Sequence, residues 1–222
     1  SILIVRHLLE HARNIDSFLA GLWEVIGENG MCLIEIPDST SLFIMGDLTQ
    51  LWEEHTAYFT PQTFHKVIQY HRFELIAEQS IISDGEKICL ALIRRAKPPR
   101  KISSGEPEPK EVRHFLSRLP IQLNRIVSKL KVVHQEYAIY IFGASHIAGT
   151  FLDLLADKAS FVESVLDDDC EKTGCRIGLS STLIILPDDL PSKKPVYILV
   201  AVNEGRAPHL YQRLRLMFPA NN

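Results

Sequence analysis

In the segment 51–61, LWEEHTAYFTP, Glu54 and His55 stand side by side among Trp52, Tyr58 and Phe59. A histidine beside a carboxylate is a ready general base near neutral pH. An unperturbed imidazole titrates at about 6.5, and the carboxylate favours its protonated form. The alternative is that both side chains are solvated loop residues ahead of a helix. A second polar cluster, Arg6-His7-Leu8-Leu9-Glu10-His11, follows the apolar run SILIV directly. A third candidate is the glycine turn Gly143-Ala144-Ser145-His146-Ile147-Ala148-Gly149, with the acidic Asp167 about one strand-helix unit later.

These residues need elements to hold them. Residues 1–5 predict a buried parallel strand, short, apolar and β-branched. Ligands in open α/β sheets lie outside the carboxyl ends of strands, so the Arg6–His11 cluster falls where a ligand would be met. An Arg6–Glu10 ion pair with solvated histidines is the structural alternative. Asp16 is the expected cap of a helix carrying Phe18, Leu19, Leu22, Trp23 and Ile26, ended by Gly27 and Gly30. MCLIEI (31–36) predicts a second buried strand that stops at Pro37-Asp38. Thr60 can cap a helix begun by Pro61, with Phe64, Val67 and Ile68 on one side. Residues 73–82 and 87–94 are strand-like and flank Asp84-Gly85, a hairpin signal.

Residues 96–110, AKPPRKISSGEPEPK, are rich in proline and charge and mark a linker. The expected organisation is a first domain over 1–95, bridging helices over 111–135 and a second α/β domain over 136–222. Val112, Phe115, Leu116, Leu119, Leu123, Ile126, Val127 and Leu130 form the stripe of the bridge. Pro120 is expected to kink that helix or start a new one. In the second domain AIYIFGASHIAG reads as strand, glycine turn and helix, the position of a dinucleotide turn. Ser145 occupies the second glycine position and His146 adds bulk there, so tight NAD binding is not expected. Strands are expected at 161–166, 183–186 and 196–202, the last ending at Asn203-Glu204-Gly205.

The totals exclude several classes. The 222 residues carry a net charge of -3 with no long run of one sign, which argues against nucleic-acid and membrane-surface binding. An apolar content of 46% supports a genuine core, and no run is long enough to span a bilayer. Cys32 and Cys89 lie in strand-like runs as expected buried thiols. Cys170 and Cys175 lack a second pair, so no metal site is expected. No signal peptide is read at Ser1, and a reduced, cytoplasmic protein is the expectation.

The stretches IVRHLLEH and WEVIGENGMCLIEIPD, followed by an antiparallel hairpin, resemble the last part of a class I S-adenosylmethionine-dependent methyltransferase domain. With WEEHTAYFT and a later IFGASHIAG turn, nearly the whole chain resembles the C-methyltransferases that act on nucleotide-linked keto-sugars and end in a Rossmann-like domain. The resemblance implies a partial methyltransferase sheet (last strands with the hairpin) followed by a second Rossmann-like α/β domain. It implies that the family's glycine-rich first strands and its cysteine-rich zinc segment would precede Ser1. Trp52 stands where sugar-modifying members often have tyrosine.

From the resemblance, His55 would remove a proton from carbon beside a ketone and Glu54 would orient it. Tyr58 would donate to the enolate oxygen. Arg6, His7, Glu10 and His11 would edge the S-adenosylmethionine pocket. Gly143, Ser145, His146, Asp167 and Asn203 would hold the substrate, a nucleotide-sugar or related small molecule. Self-association through an exposed first strand is also expected, and this chain alone would bind the cofactor weakly. Two other readings stay open: a nucleotide or nucleotide-sugar binding module without catalysis, and a small NAD-dependent oxidoreductase.

Overall fold

A computed structural model describes residues 1–83, 86–97, 110–179, 181–190, 194–202 and 207–218. The predicted Asp84-Gly85 turn, most of the predicted linker and Asn203-Glu204-Gly205 lie outside them. The protein is mixed α/β with two mixed sheets, and the chain divides into two compact units, Ser1–Phe115 and Leu116–Asn222. The division falls inside a helix, at a later point than the proline-rich stretch read as the boundary.

The first unit runs β1 (Ile2–Arg6), α1 (Ile15–Ile26), β2 (Met31–Pro37), α2 (Thr40–Met45), α3 (Pro61–Tyr70), β3 (Phe73–Ser83) and β4 (Glu86–Arg95). Its sheet order is β1-β2-β4-β3, with β1 parallel to β2 and β4 antiparallel to both neighbours. The helices cover one face, where Leu19, Leu22, Ile26, Phe64 and Ile68 pack on Val5, Cys32, Ile34, Ala91 and Ile93. Alternation along the strands makes this possible, since every second side chain faces the helices. Both strand cysteines are buried as expected, and burial pushes the Cys32 thiol up to about 11.

Two local expectations need correction. The α1 cap is Asn14, whose side chain accepts from the Ser17 N–H at 2.8 Å, two residues before the expected Asp16. Asp16 is instead in the first turn and meets His71 Nε2 at 3.1 Å. The β1 strand is parallel but not buried throughout: Ile2 and Ile4 are 63% and 61% exposed on the sheet edge. The apolar stripe forms a single helix, α4 (Lys110–Glu136), with Pro120 inside it, which is one of the two arrangements expected there.

The second unit takes the later part of α4 and adds β5 (Ala138–Phe142), α5 (His146–Leu155), β6 (Val162–Leu166), β7 (Arg176–Ile177), β8 (Thr182–Ile185), β9 (Val196–Val200) and α6 (Ala207–Met217). Sheet order is β7-β8-β6-β5-β9, parallel except for the short edge strand β7. The central β5 is buried along its whole length, as an apolar run flanked on both faces requires. Val127, Leu130, Leu152 and Leu155 pack on one side, and Leu214 with Leu210 on the other. Among the described residues no helix is long and apolar enough to cross a membrane.

Candidate functional site

The segment 51–60 is held by hydrogen bonds within it, to the turn after β1 and to the start of α3. The Tyr58 hydroxyl donates to the Trp52 carbonyl and accepts from the Trp52 N–H, both at 3.0 Å. Burial pushes the Tyr58 phenol up, and the bond to Trp52 opposes this. The His55 N–H donates to the Trp52 carbonyl at 3.0 Å. The His55 ring stacks on Trp52 with centroids 5.5 Å apart and tilts against Tyr58 at 5.6 Å. Thr60 caps α3 as expected, and Thr63 returns a bond to complete a capping box.

This loop is stitched to the turn after β1. The Thr56 and Ala57 N–H groups donate to the Glu10 carbonyl at 2.8 and 3.2 Å, and Thr56 Oγ1 donates to the Ala12 carbonyl at 2.8 Å. His11 Nδ1 lies 3.0 Å from the Glu54 carbonyl. A carbonyl only accepts, so this nitrogen carries the hydrogen and Nε2 presents the lone pair. The His11 and His55 rings meet edge to face at 4.8 Å.

Behind them lies a chain of charges. Arg6 holds Glu35 through two bonds, Nε to Oε2 at 2.8 Å and Nη2 to Oε1 at 2.9 Å. The expected alternative of an Arg6–Glu10 pair is therefore not what forms. His7 stands between Glu35 Oε1, 3.0 Å from its Nε2, and Glu10 Oε1, 3.2 Å from its Nδ1. A neutral imidazole has one N–H, so two facing carboxylates require one further proton, on the ring or on Glu10. Burial pushes the Glu10 carboxyl up, against the pull of a backbone bond and the nearby histidines. The Arg6 guanidinium holds Glu35 below the usual carboxylate range. That contact contributes stability above the ordinary glutamate pKa and loses it as pH falls through the lowered one. His7 adopts φ +47°, an uncommon conformation for a residue with a Cβ; its N–H donates to the Glu35 carbonyl at 3.0 Å.

The structure thus brings together His55, Tyr58, Glu10 and His11, with His7 bonded to Glu10 and Arg6 joined to His7 through Glu35. The Glu54 carboxylate is exposed, and the backbone carbonyl of Glu54 makes the contact with the histidine pair. Two features escaped the sequence. Glu35 organises the cluster, and its one signal was an acid inside the apolar run MCLIEI. The joining of residues 10–12 to 54–57 depends on a fold-level contact that spacing does not encode.

In the second unit the glycine turn is closed on itself. Asp167 Oδ2 accepts from the Ala144 N–H at 2.7 Å and from Lys172 Nζ at 3.1 Å, while the Ser145 hydroxyl donates to the Ala201 carbonyl at 2.9 Å. Burial raises the Asp167 carboxyl, but the backbone N–H bonds and Lys172 outweigh it and hold it below its ordinary value. His146 begins α5 beside the turn, and Asn203 lies outside the described residues. Gly143 has φ +101°, and a Cβ there would stand 2.8 Å from the Ala201 carbonyl oxygen. Gly143→Ala is expected to destabilise this unit by about 1–3 kcal/mol, read as a lower denaturation midpoint by circular dichroism. An unchanged midpoint would show that the turn relaxes freely.

The arrangement offers an imidazole lone pair on an oriented ring, a second imidazole and a buried carboxylate at the carboxyl ends of two adjacent parallel strands. Such a set can move a proton. No protein-family profile and no curated protein matches this sequence.

Proposed function

We propose that the protein is an S-adenosylmethionine-dependent C-methyltransferase acting on a nucleotide-linked keto-sugar or a related small carbonyl compound. The observation that carries this reading is the junction of His55, on the loop between α2 and α3, with Glu10 and His11 after β1. That is the end of an open sheet where ligands are bound. The order β1-β2-β4-β3, with its antiparallel hairpin, is the one expected for the last strands of a class I methyltransferase domain. The order β8-β6-β5-β9 is the one expected of a Rossmann-like partner.

The cofactor's fit rests on the carboxyl end of β1. The His7 side chain is 37% exposed there, able to meet one edge of a nucleoside, while Arg6 is already held by Glu35. When bound, S-adenosylmethionine supplies an electrophilic methyl group. His55 takes the proton from the carbon beside the ketone, and Trp52 and Tyr58 hold its ring in place. Tyr58 donates to the developing enolate oxygen after giving up its bond to Trp52. General-base catalysis of this kind contributes roughly a hundred- to ten-thousandfold. Glu54 acts through its carbonyl on His11, and the turn Gly143–Ser145 with His146 and Asp167 is the second unit's own candidate for meeting a nucleotide.

The test is transfer of labelled methyl from S-adenosylmethionine to nucleotide-linked keto-sugars, using the longest natural form of the protein. Labelled carbon-methylated product supports the reading; its absence across such substrates, with both ligands shown to bind, rejects it. A further expectation concerns β1. Its exposed Ile2 and Ile4 on an open edge invite pairing with a second chain. The 222-residue chain is expected to self-associate by light scattering, and Ile4→Lys to shift it towards monomer. A monomeric wild-type chain at high concentration would contradict this.

A further inference from the structure

The ligand atoms of Glu10, His11 and His55 lie within 4.8 Å of one another. We propose that these three side chains form a binding site for one divalent first-row transition ion of the zinc class. Two imidazole nitrogens and one carboxylate oxygen, with a position left for water, make the ligand set of an open zinc site. Nitrogen donors favour such an ion over magnesium or calcium, which take oxygen.

Three independent features point to an ion. Glu10 is 2% exposed, and its Oε2 is buried without a hydrogen-bond partner. Buried acceptors in folded proteins mostly have a partner, so this oxygen calls for a positive or donating group. His11 is fixed by the Glu54 carbonyl as the tautomer whose Nε2 lone pair is the ligand, which is the usual outer partner of a metal-bound imidazole. Glu10 has a comparable outer partner in His7, itself held by Glu35. Finally, the backbone bonds between residues 10–12 and 56–57 fix the two segments that carry the ligands, so the site exists before the ion arrives.

The site does not depend on methyl transfer. It bears on it only because an ion on His55 competes for the lone pair used in proton removal.

The experiment is calorimetric titration of the whole chain with zinc, together with the visible spectrum of the cobalt(II) complex. One equivalent is expected to bind at micromolar or tighter affinity, with cobalt d–d bands and no thiolate charge-transfer band. Trp52, stacked on His55, should change its fluorescence as the ion binds. Glu10→Gln, His11→Ala and His55→Ala should each weaken binding by about tenfold or more. His65→Ala and the double change Cys170→Ser with Cys175→Ser should leave it unaltered. Absence of zinc binding to the wild-type chain would overturn the proposal. So would binding that survives both histidine changes, or that vanishes with the cysteines. The wild-type cobalt spectrum decides the matter even if a variant does not fold.

Discussion

Replacing His55 with asparagine is expected to lower methyl transfer by about a hundredfold or more while the protein stays folded. The rate should fall because asparagine's amide has no basic lone pair in this pH range. Folding should survive because the His55 ring is half-buried and touches other loop rings, with no place in the core. Glu54→Gln should cost far less, since the carbonyl that meets His11 belongs to the backbone and is kept. Steady-state rates of the two variants check this. Comparable losses in both would move the base to another group, with His7, His11 and Tyr58 as the next candidates.

Phe64→Ala is expected to destabilise the first unit by about 3–5 kcal/mol. Phe64 is fully buried on the core face of α3 and meets Phe59 edge to face at 6.0 Å. Phe59 is also buried, and its carbonyl accepts from the Ser39 N–H at 2.8 Å. Truncating Phe64 therefore opens a cavity beneath the base of the 51–60 loop. Both tryptophans, Trp23 and Trp52, belong to the first unit, so tryptophan fluorescence during denaturation reports on that unit alone. A large drop in midpoint is the expected outcome. A shift below about 1 kcal/mol would mean that neighbouring side chains collapse into the space.

Much of the framework was legible because it rests on local rules. The apolar run MCLIEI and the Thr60-Pro61 start of α3 are written in neighbouring residues. The hairpin strands were legible from their β-prone runs. The α1 cap was misread because Asn14 and Asp16 are both capping types, and only the backbone at residue 14, extended at φ -136°, decides between them. Pro120 left a kinked helix or a second start open, because proline removes a helical hydrogen bond, and a single helix runs through it. Of the site, His55 and Glu10 could be read from their types and from their positions after strands. The choice of Arg6 for Glu35 could not, because the partners are 29 residues apart and meet only through the register of β1 against β2.

If His55 takes a proton from carbon beside a ketone, hydrogen exchange measures that step without any methyl transfer. A nucleotide-linked keto-sugar is incubated in deuterated water with the longest natural form of the protein, and deuterium at the carbon beside the ketone is followed by NMR. Incorporation well above the protein-free rate, abolished in His55→Asn, is the expected result. Equal incorporation with the wild-type and His55→Asn proteins would contradict it.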